Sequence, residues 1–248
     1  MTPSNNDLGS LSNAKERLAV ALDFPDARAA LDLVDRLGDT CRWLKVGMEL
    51  YYAAGNELVS ELRERGYKVF LDLKLHDIPN TVAGGVRSAT TAGAELLTVH
   101  AGGGAAMLRA AAGAAAGPDA PRLLAVTVLT SIDEDELKGV GVMSPPAEQA
   151  LRLARLAWNS GIRGMVCSAE EVGMLRRELG PEAYLVVPGI RPAGSATDDQ
   201  RRVATASEAI AVGASMLVVG RPITKATDPI GAAQAILAEI AEAESASR

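Results

Sequence analysis

Short runs rich in Val, Leu and Ile recur along the chain, the first five starting 25 to 28 residues apart, and that recurrence sharply limits the folds open to it. They lie at residues 18–24, 43–49, 68–74, 96–100, 123–129, 164–167, 184–187 and 216–219. Each has the length and composition of a strand. Between them lie Ala-rich stretches with helical spacing, among them 26–37, 53–65, 80–92, 145–160 and 200–212. Eight strand–helix units in succession predict an α/β fold, a (β/α)8 TIM barrel. A doubly wound open sheet is the competing architecture, and the absence of a GxGxxG after the first strand disfavours it. The expected organisation is a polar N-terminal extension over 1–15 and one barrel domain over 16–248.

Helix ends support this division. Ser144 before Pro145 and Asp228 before Pro229 read as N-caps with proline in the first helical position. Gly38, Gly66 and Gly93 fall where helices want a left-handed residue just past their ends. Two connections are long, 131–144 after the fifth strand and 190–199 after the seventh. In a barrel, long loops at the C-terminal ends of strands are candidate lids.

Composition narrows the functions. Apolar residues make up 48% of the chain but aromatics only 3%, so Ala, Val, Leu and Ile must build the core. The net charge of −6, without a basic run, argues against a general nucleic-acid or anionic-membrane binder. Cys41 and Cys167 are too few for a disulfide framework or a thiolate zinc site. His76 and His100 are the only histidines, which rules out an HExxH metal site. The first 15 residues lack the apolar run of a signal peptide, and no stretch approaches 18 apolar residues. A cytoplasmic protein is expected.

The third strand carries the sharpest chemical signal. It runs Phe70-Leu71-Asp72-Leu73-Lys74-Leu75-His76-Asp77-Ile78-Pro79-Asn80-Thr81. Residues two apart on a strand share a face, so Asp72 and Lys74 are expected together, opposite Leu71, Leu73 and Leu75. A strand covered on both sides is normally apolar throughout, and an uncompensated buried ion costs several kcal/mol. The pair therefore marks a site. Other polar residues gather at the same ends of strands: Asp23, Lys45, His100, Thr130, Ser131, Arg191, Gly220 and Arg221. Gly220-Arg221 after the eighth strand also suits a phosphate, with backbone amides and a guanidinium for its oxygens.

These blocks together closely resemble the orotidine 5'-phosphate decarboxylase family, in its bacterial branch. The resemblance rests on Leu22-Asp23, Leu44-Lys45-Val46-Gly47, the segment Asp72 to Thr81, Leu129-Thr130-Ser131, Val187-Pro188-Gly189-Ile190-Arg191-Pro192 and Val219-Gly220-Arg221-Pro222-Ile223, in the family's order. It implies cofactor-free decarboxylation of orotidine 5'-phosphate to uridine 5'-phosphate and CO2, without a metal. By it, Lys74 protonates C6 of the pyrimidine, and Asp72 lies beside the substrate carboxylate. Lys45 and Asp77 complete an alternating chain of charges. Asp23 and Lys45 bind the ribose, and Thr130 and Ser131 lie near the base. Arg191, Gln200, Gly220 and Arg221 hold the phosphate, while Ile78 and Pro188 line an apolar pocket near the departing CO2. The family's active form is a homodimer in which Asp77 and Thr81 reach into the neighbouring subunit's site.

The chemistry agrees with these residue types. Loss of CO2 from C6 leaves a carbanion perpendicular to the ring's π system, which resonance helps little. A fixed cation beside the developing charge can stabilise it and then deliver the proton. Carboxylates around Lys74 favour its ammonium form, which suits an acid and not an amine nucleophile. The nearest rival is a sugar-phosphate aldolase or epimerase of the same superfamily, which shares the Asp-x-Lys-x-x-Asp block but uses a divalent metal. A catalytically dead barrel that only binds a nucleotide or a protein is the second rival. His76 is expected to support its loop, and neither histidine to be catalytic.

Overall fold

The computed structural model describes residues 13–192 and 204–246. Eight parallel strands close into a barrel in chain order. They are β1 (Leu18–Ala21), β2 (Trp43–Gly47), β3 (Lys68–Leu75), β4 (Leu96–His100), β5 (Arg122–Val126), β6 (Gly164–Val166), β7 (Tyr184–Val187) and β8 (Met216–Val219). The ring closes where β1 pairs with β8, with Leu18 opposite Leu217. The helices among the described residues are α1 (Ala27–Leu37), α2 (Met48–Glu64), α3 (Pro79–Thr91), α4 (Gly104–Ala114), α5 (Glu134–Gly139), α6 (Pro146–Asn159), α7 (Ala169–Leu179), α8 (Ala206–Ala211), α9 (Arg221–Thr224) and α10 (Pro229–Ala246). The fold is the expected (β/α)8 barrel. Among the described residues no helix is long and apolar enough to cross a membrane.

The period of two survives even though both strand faces are apolar. Ala19, Ala21, Trp43, Phe70, Leu96, Leu124, Val186, Met216 and Val218 form one buried cluster, the barrel interior. Their strand neighbours Leu18, Val20, Leu44, Val69, Leu71, Leu97, Leu185 and Leu217 belong to a second cluster, packed under the helices. Phe70 and Trp43 are the large aromatics of this interior cluster, and Trp43 stands beside the small Ala19 of the neighbouring strand. The N-terminal end of the barrel is tied by Glu16, whose Oε2 accepts from Trp43 Nε1 at 3.0 Å and Lys68 Nζ at 2.9 Å. Arg42 Nε lies 2.7 Å from the other oxygen. The interior is therefore filled and capped at one end and opens at the other.

Several element ends differ from expectation, for one recurring reason. β1, β2, β5 and β6 stop at Ala21, Gly47, Val126 and Val166, earlier than the apolar runs that define them. Leu22 and Val128 beyond the ends are still buried. Burial outlasts the ladder there, and hydropathy alone reports burial. Conversely α2 begins at Met48, five residues before the helical period becomes readable at 53, because Gly55 (φ 63°, ψ −158°) divides it. The helix expected from 145 starts instead at Pro146, with Pro145 in the N-cap position. Ser144 is not its cap; its Oγ accepts from Arg152 Nη2 at 3.2 Å.

Other capping expectations hold. Asp228 Oδ1 accepts from the Gly231 amide at 3.0 Å at the start of α10. Gly38, Gly66 and Gly93 stand at φ 51°, 89° and 82° just past helices. The connection 131–144 is not irregular throughout: it contains α5, opened by a capping box between Asp133 and Glu136. The helix expected over 200–212 is described from its capping residue Thr205 onward. The candidate lid at 190–199 lies outside the described residues from position 193. Of the expected N-terminal extension, 1–12 lie outside them too, and Ala14 is packed into the core.

One glycine is a packing requirement. A Cβ at Gly164 in β6 would lie 2.4 Å from Leu124 Cδ2 and 2.6 Å from the Leu123 carbonyl oxygen, so β5 would have to shift. Gly164→Ala should lower stability by about 1–3 kcal/mol, seen as a fall in Tm. Gly113→Ala in α4 meets nothing within 4 Å. It should raise stability by roughly 0.4–1 kcal/mol. Equal Tm values for the two variants would refute this account of β5–β6 packing.

Candidate active site

Moving two residues up the strands from the apolar interior replaces hydrocarbon with charge. Lys45 follows Trp43 on β2, and Asp72 follows Phe70 on β3. Lys45 is 7% exposed. Such an ammonium must be paired, and its Nζ donates to Asp23 Oδ1 at 2.9 Å and lies 3.6 Å from Asp72 Oδ2. Asp23 comes from just beyond β1. Gly47 makes room for the pair, since a Cβ there would lie 3.1 Å from Lys45 Nζ and 3.3 Å from Asp23 Oδ1. The other oxygen of Asp72, Oδ1, accepts from Lys74 Nζ at 2.9 Å. Asp23, Lys45, Asp72 and Lys74 thus form one chain of alternating charges across three strands.

Asp72 and Lys74 meet, but not by the simple alternation expected. β3 pairs with β4 through Leu71 opposite Leu97 and then Leu75 opposite Val99, so β3 advances four residues while β4 advances two. Within this bulge Lys74 has φ 48°, the one positive φ outside glycine among the described residues. A left-handed lysine costs about 1–2 kcal/mol. Its amide donates to Thr98 Oγ1 on β4 at 2.8 Å, and Thr98 Oγ1 donates to Asp72 Oδ1 at 3.0 Å. Bulges beside sites re-aim side chains, and this one turns Lys74 back toward Asp72.

The charges face a cavity of about 660 Å³ lined by Asp23, Lys45, Asp72 and Lys74. Val126, Val128 and Val166 give it an apolar wall, and Thr130, Ser131 and Pro188 rim its mouth. Arg191, Gly220 and Arg221 bring the ends of β7 and β8 to the same space. Lys225 lines it as well, which the sequence reading did not single out; its position four residues after Arg221, one helical turn on, was the available signal. Thr98 was also passed over, because a lone threonine inside a buried strand carries no pattern.

Some expected residues lie elsewhere. Asp77, Ile78 and Thr81 do not line the cavity of their own chain and are exposed. Asp77 Oδ1 accepts from the Ile78 amide at 2.6 Å. Gln200 lies outside the described residues. His76 and His100 stack with ring centroids 5.2 Å apart, away from the cavity lining. His100 Nδ1 accepts from the Gly102 amide, and burial, with His76 and Lys74 nearby, pulls this imidazole below its usual range. Among the described residues no cluster of three or more His, Cys, Asp or Glu is placed to hold a metal ion.

Burial alone would push the Asp72 carboxyl up. The charges of Lys45 and Lys74, with hydrogen bonds from Lys74 and Thr98, outweigh it and hold the group below the usual carboxylate range. The unfolded chain therefore takes up this proton at higher pH than the folded one. Asp72's share of stability is complete above the unfolded value, about 3.9, and is lost as pH falls through the depressed folded value. Stability measured by denaturant unfolding should fall more steeply on acidification below about pH 4 in the wild type than in Asp72→Asn. Parallel curves would contradict this.

Comparison with known proteins agrees with the geometry. Residues 16–236 match the Orotidine 5'-phosphate decarboxylase / HUMPS family. An orotidine 5'-phosphate decarboxylase of Moorella thermoacetica is 51% identical over 235 residues, covering 92% of this chain and 93% of its own. One from Anaeromyxobacter sp. (strain K) is 53% identical over 223 residues, covering 90% of this chain and 97% of its own. The crystal structure of the Lactobacillus acidophilus orotidine 5'-phosphate decarboxylase superposes with a TM-score of 0.81 at 42% identity, covering 91% of this chain and 99% of that one. A barrel with this charge chain at its open end, matched over nearly its full length, belongs to the orotidine 5'-phosphate decarboxylase / HUMPS family.

Proposed function

We propose that the chain is a carboxy-lyase that converts orotidine 5'-phosphate to uridine 5'-phosphate and CO2, the last step of de novo pyrimidine nucleotide synthesis, without a cofactor. The observation that carries this reading is the Asp23–Lys45–Asp72–Lys74 chain, which sets a cation beside a half-buried carboxylate in the cavity lining. Lys74 stabilises the carbanion that forms at C6 and gives it its proton. Asp72 faces the departing carboxylate and holds Lys74. Asp23 and Lys45 hold the ribose, Thr130 and Ser131 the base, and Pro188 bounds an apolar space for CO2. Arg191, Gly220, Arg221 and Gln200 take the phosphate. Binding energy spent there, far from C6, supports the transition state.

The working form in this reading is a cytoplasmic homodimer. Asp77 and Thr81 are exposed on their own chain and enter the partner's site, where Asp77 continues the alternation of charge beside Lys74. Ile78, 67% exposed, and Tyr52 on the preceding unit, 79% exposed, supply apolar surface for the contact.

With the purified protein and EDTA, the absorbance of orotidine 5'-phosphate should fall and CO2 appear. Lys74→Ala should lower the rate by at least about 10²–10⁴-fold. Turnover only after adding a divalent metal, or on ketose phosphates alone, would instead establish the aldolase or epimerase reading. Binding without turnover would establish a barrel that only binds. The shared site has its own test: Lys74→Ala and Asp77→Ala, each inactive alone, should regain activity when mixed, because one site of each hybrid dimer carries neither change. No recovery in mixtures that do exchange subunits would refute sharing.

A further inference from the structure

The bulge in β3 needs something to hold it. Lys74 sits at φ 48°, a conformation a lysine does not choose, and its amide has left the β3–β4 ladder. If the register before the bulge continued, Thr98 would stand opposite Asp72, two residues on from Phe70 opposite Leu96. Thr98 is fully buried on the interior face of β4. Its hydroxyl has one proton to give and lone pairs to receive, and both capacities are used. Lys74 N–H donates to Oγ1 at 2.8 Å, Oγ1 donates to Asp72 Oδ1 at 3.0 Å, and the same Oδ1 accepts from Lys74 Nζ at 2.9 Å. The two ends of Lys74, backbone and ammonium, are joined through one hydroxyl and one carboxylate oxygen.

We propose that Thr98 is a positioning residue: its hydroxyl locks the left-handed backbone of Lys74 to the carboxylate of Asp72 and so fixes where the Lys74 ammonium stands in the cavity. It is not among the residues that line the cavity. The geometry explains why a residue of this size and polarity lies inside an otherwise apolar strand. Valine would fill the same space but leave the Lys74 amide without an acceptor and Asp72 with one donor fewer. Serine would keep both bonds.

The inference rests on Lys74 being the group that acts at C6, and the test separates the two. Thr98→Ser, Thr98→Val and Thr98→Ala are compared with the wild type for turnover of orotidine 5'-phosphate across pH, and their crystal structures are determined. Thr98→Ser should stay within about 3-fold of the wild type, while Thr98→Val and Thr98→Ala lose about 10–100-fold in kcat at nearly unchanged KM, as misplacement of a reacting group by about 1 Å does. The acid limb of kcat/KM should also move to higher pH in both, since Asp72 has lost a donor to its ionised form. A merely structural role would lower the yield or Tm and leave that limb in place. Should Thr98→Val fail to fold, Thr98→Ala against Thr98→Ser decides. Wild-type kcat and acid limb in a variant lacking the hydroxyl, or a serine variant as impaired as valine, would overturn the inference. If the wild type itself does not decarboxylate, the functional reading fails on its own. The inference is then judged by Lys74, whose φ should stay positive with serine and relax without a hydroxyl; a positive φ kept in the alanine variant would overturn it.

Discussion

Closing a parallel sheet on itself leaves only alternate side chains facing inward, and the molecule is organised by how those positions are filled. Ala19, Trp43, Phe70, Leu96, Leu124, Val186 and Met216 fill the barrel with hydrocarbon near its capped end. Two residues further along, β1, β5 and β8 continue with Ala21, Val126 and Val218, while β2, β3 and β4 switch to Lys45, Asp72 and Thr98. The polar groups therefore occupy one arc of the ring and an apolar wall the other. Such a cavity is polarised by construction, and a flat ligand within it meets charge on one edge and hydrocarbon on the other.

Bringing ions into this layer requires that each be answered. The alternation of Asp23, Lys45, Asp72 and Lys74 does so without a mobile counter-ion, and the depressed carboxyl of Asp72 shows that attraction outweighs desolvation. The cations Arg191, Arg221 and Lys225 stand apart from this chain, at the ends of β7 and β8 and on the turn that follows. The cavity has two electrostatic centres, the alternating chain reaching from the end of β1 to β3 and a cationic one at the ends of β7 and β8. That separation places the two kinds of charge on different strands.

The barrel was legible because every strand is buried on both faces, which writes its position in Val, Leu and Ile. β4, β7 and β8 fall where the hydropathy places them, whereas β1, β2, β5 and β6 are shorter, since Leu22 and Val128 stay buried after pairing has ended. The charged members of the site were equally legible, because Lys45, Asp72 and Lys74 violate an apolar pattern. What the pattern could not convey was backbone irregularity. The bulge at Lys74 and the break at Gly55 are local departures from periodicity, visible only once neighbouring strands and helices fix the register. Thr98 and Lys225 were missed for the opposite reason: each is unremarked alone and acquires meaning from what folding sets beside it.

The tie around Glu16 at the N-terminal end has a consequence for traffic. With Trp43, Lys68 and Arg42 gathered on that carboxylate and Phe70 and Met216 packed above it, the barrel is a cul-de-sac. Whatever enters the cavity must leave by the same open end, so the space beside Asp72 and Lys74 fills and empties through a single mouth.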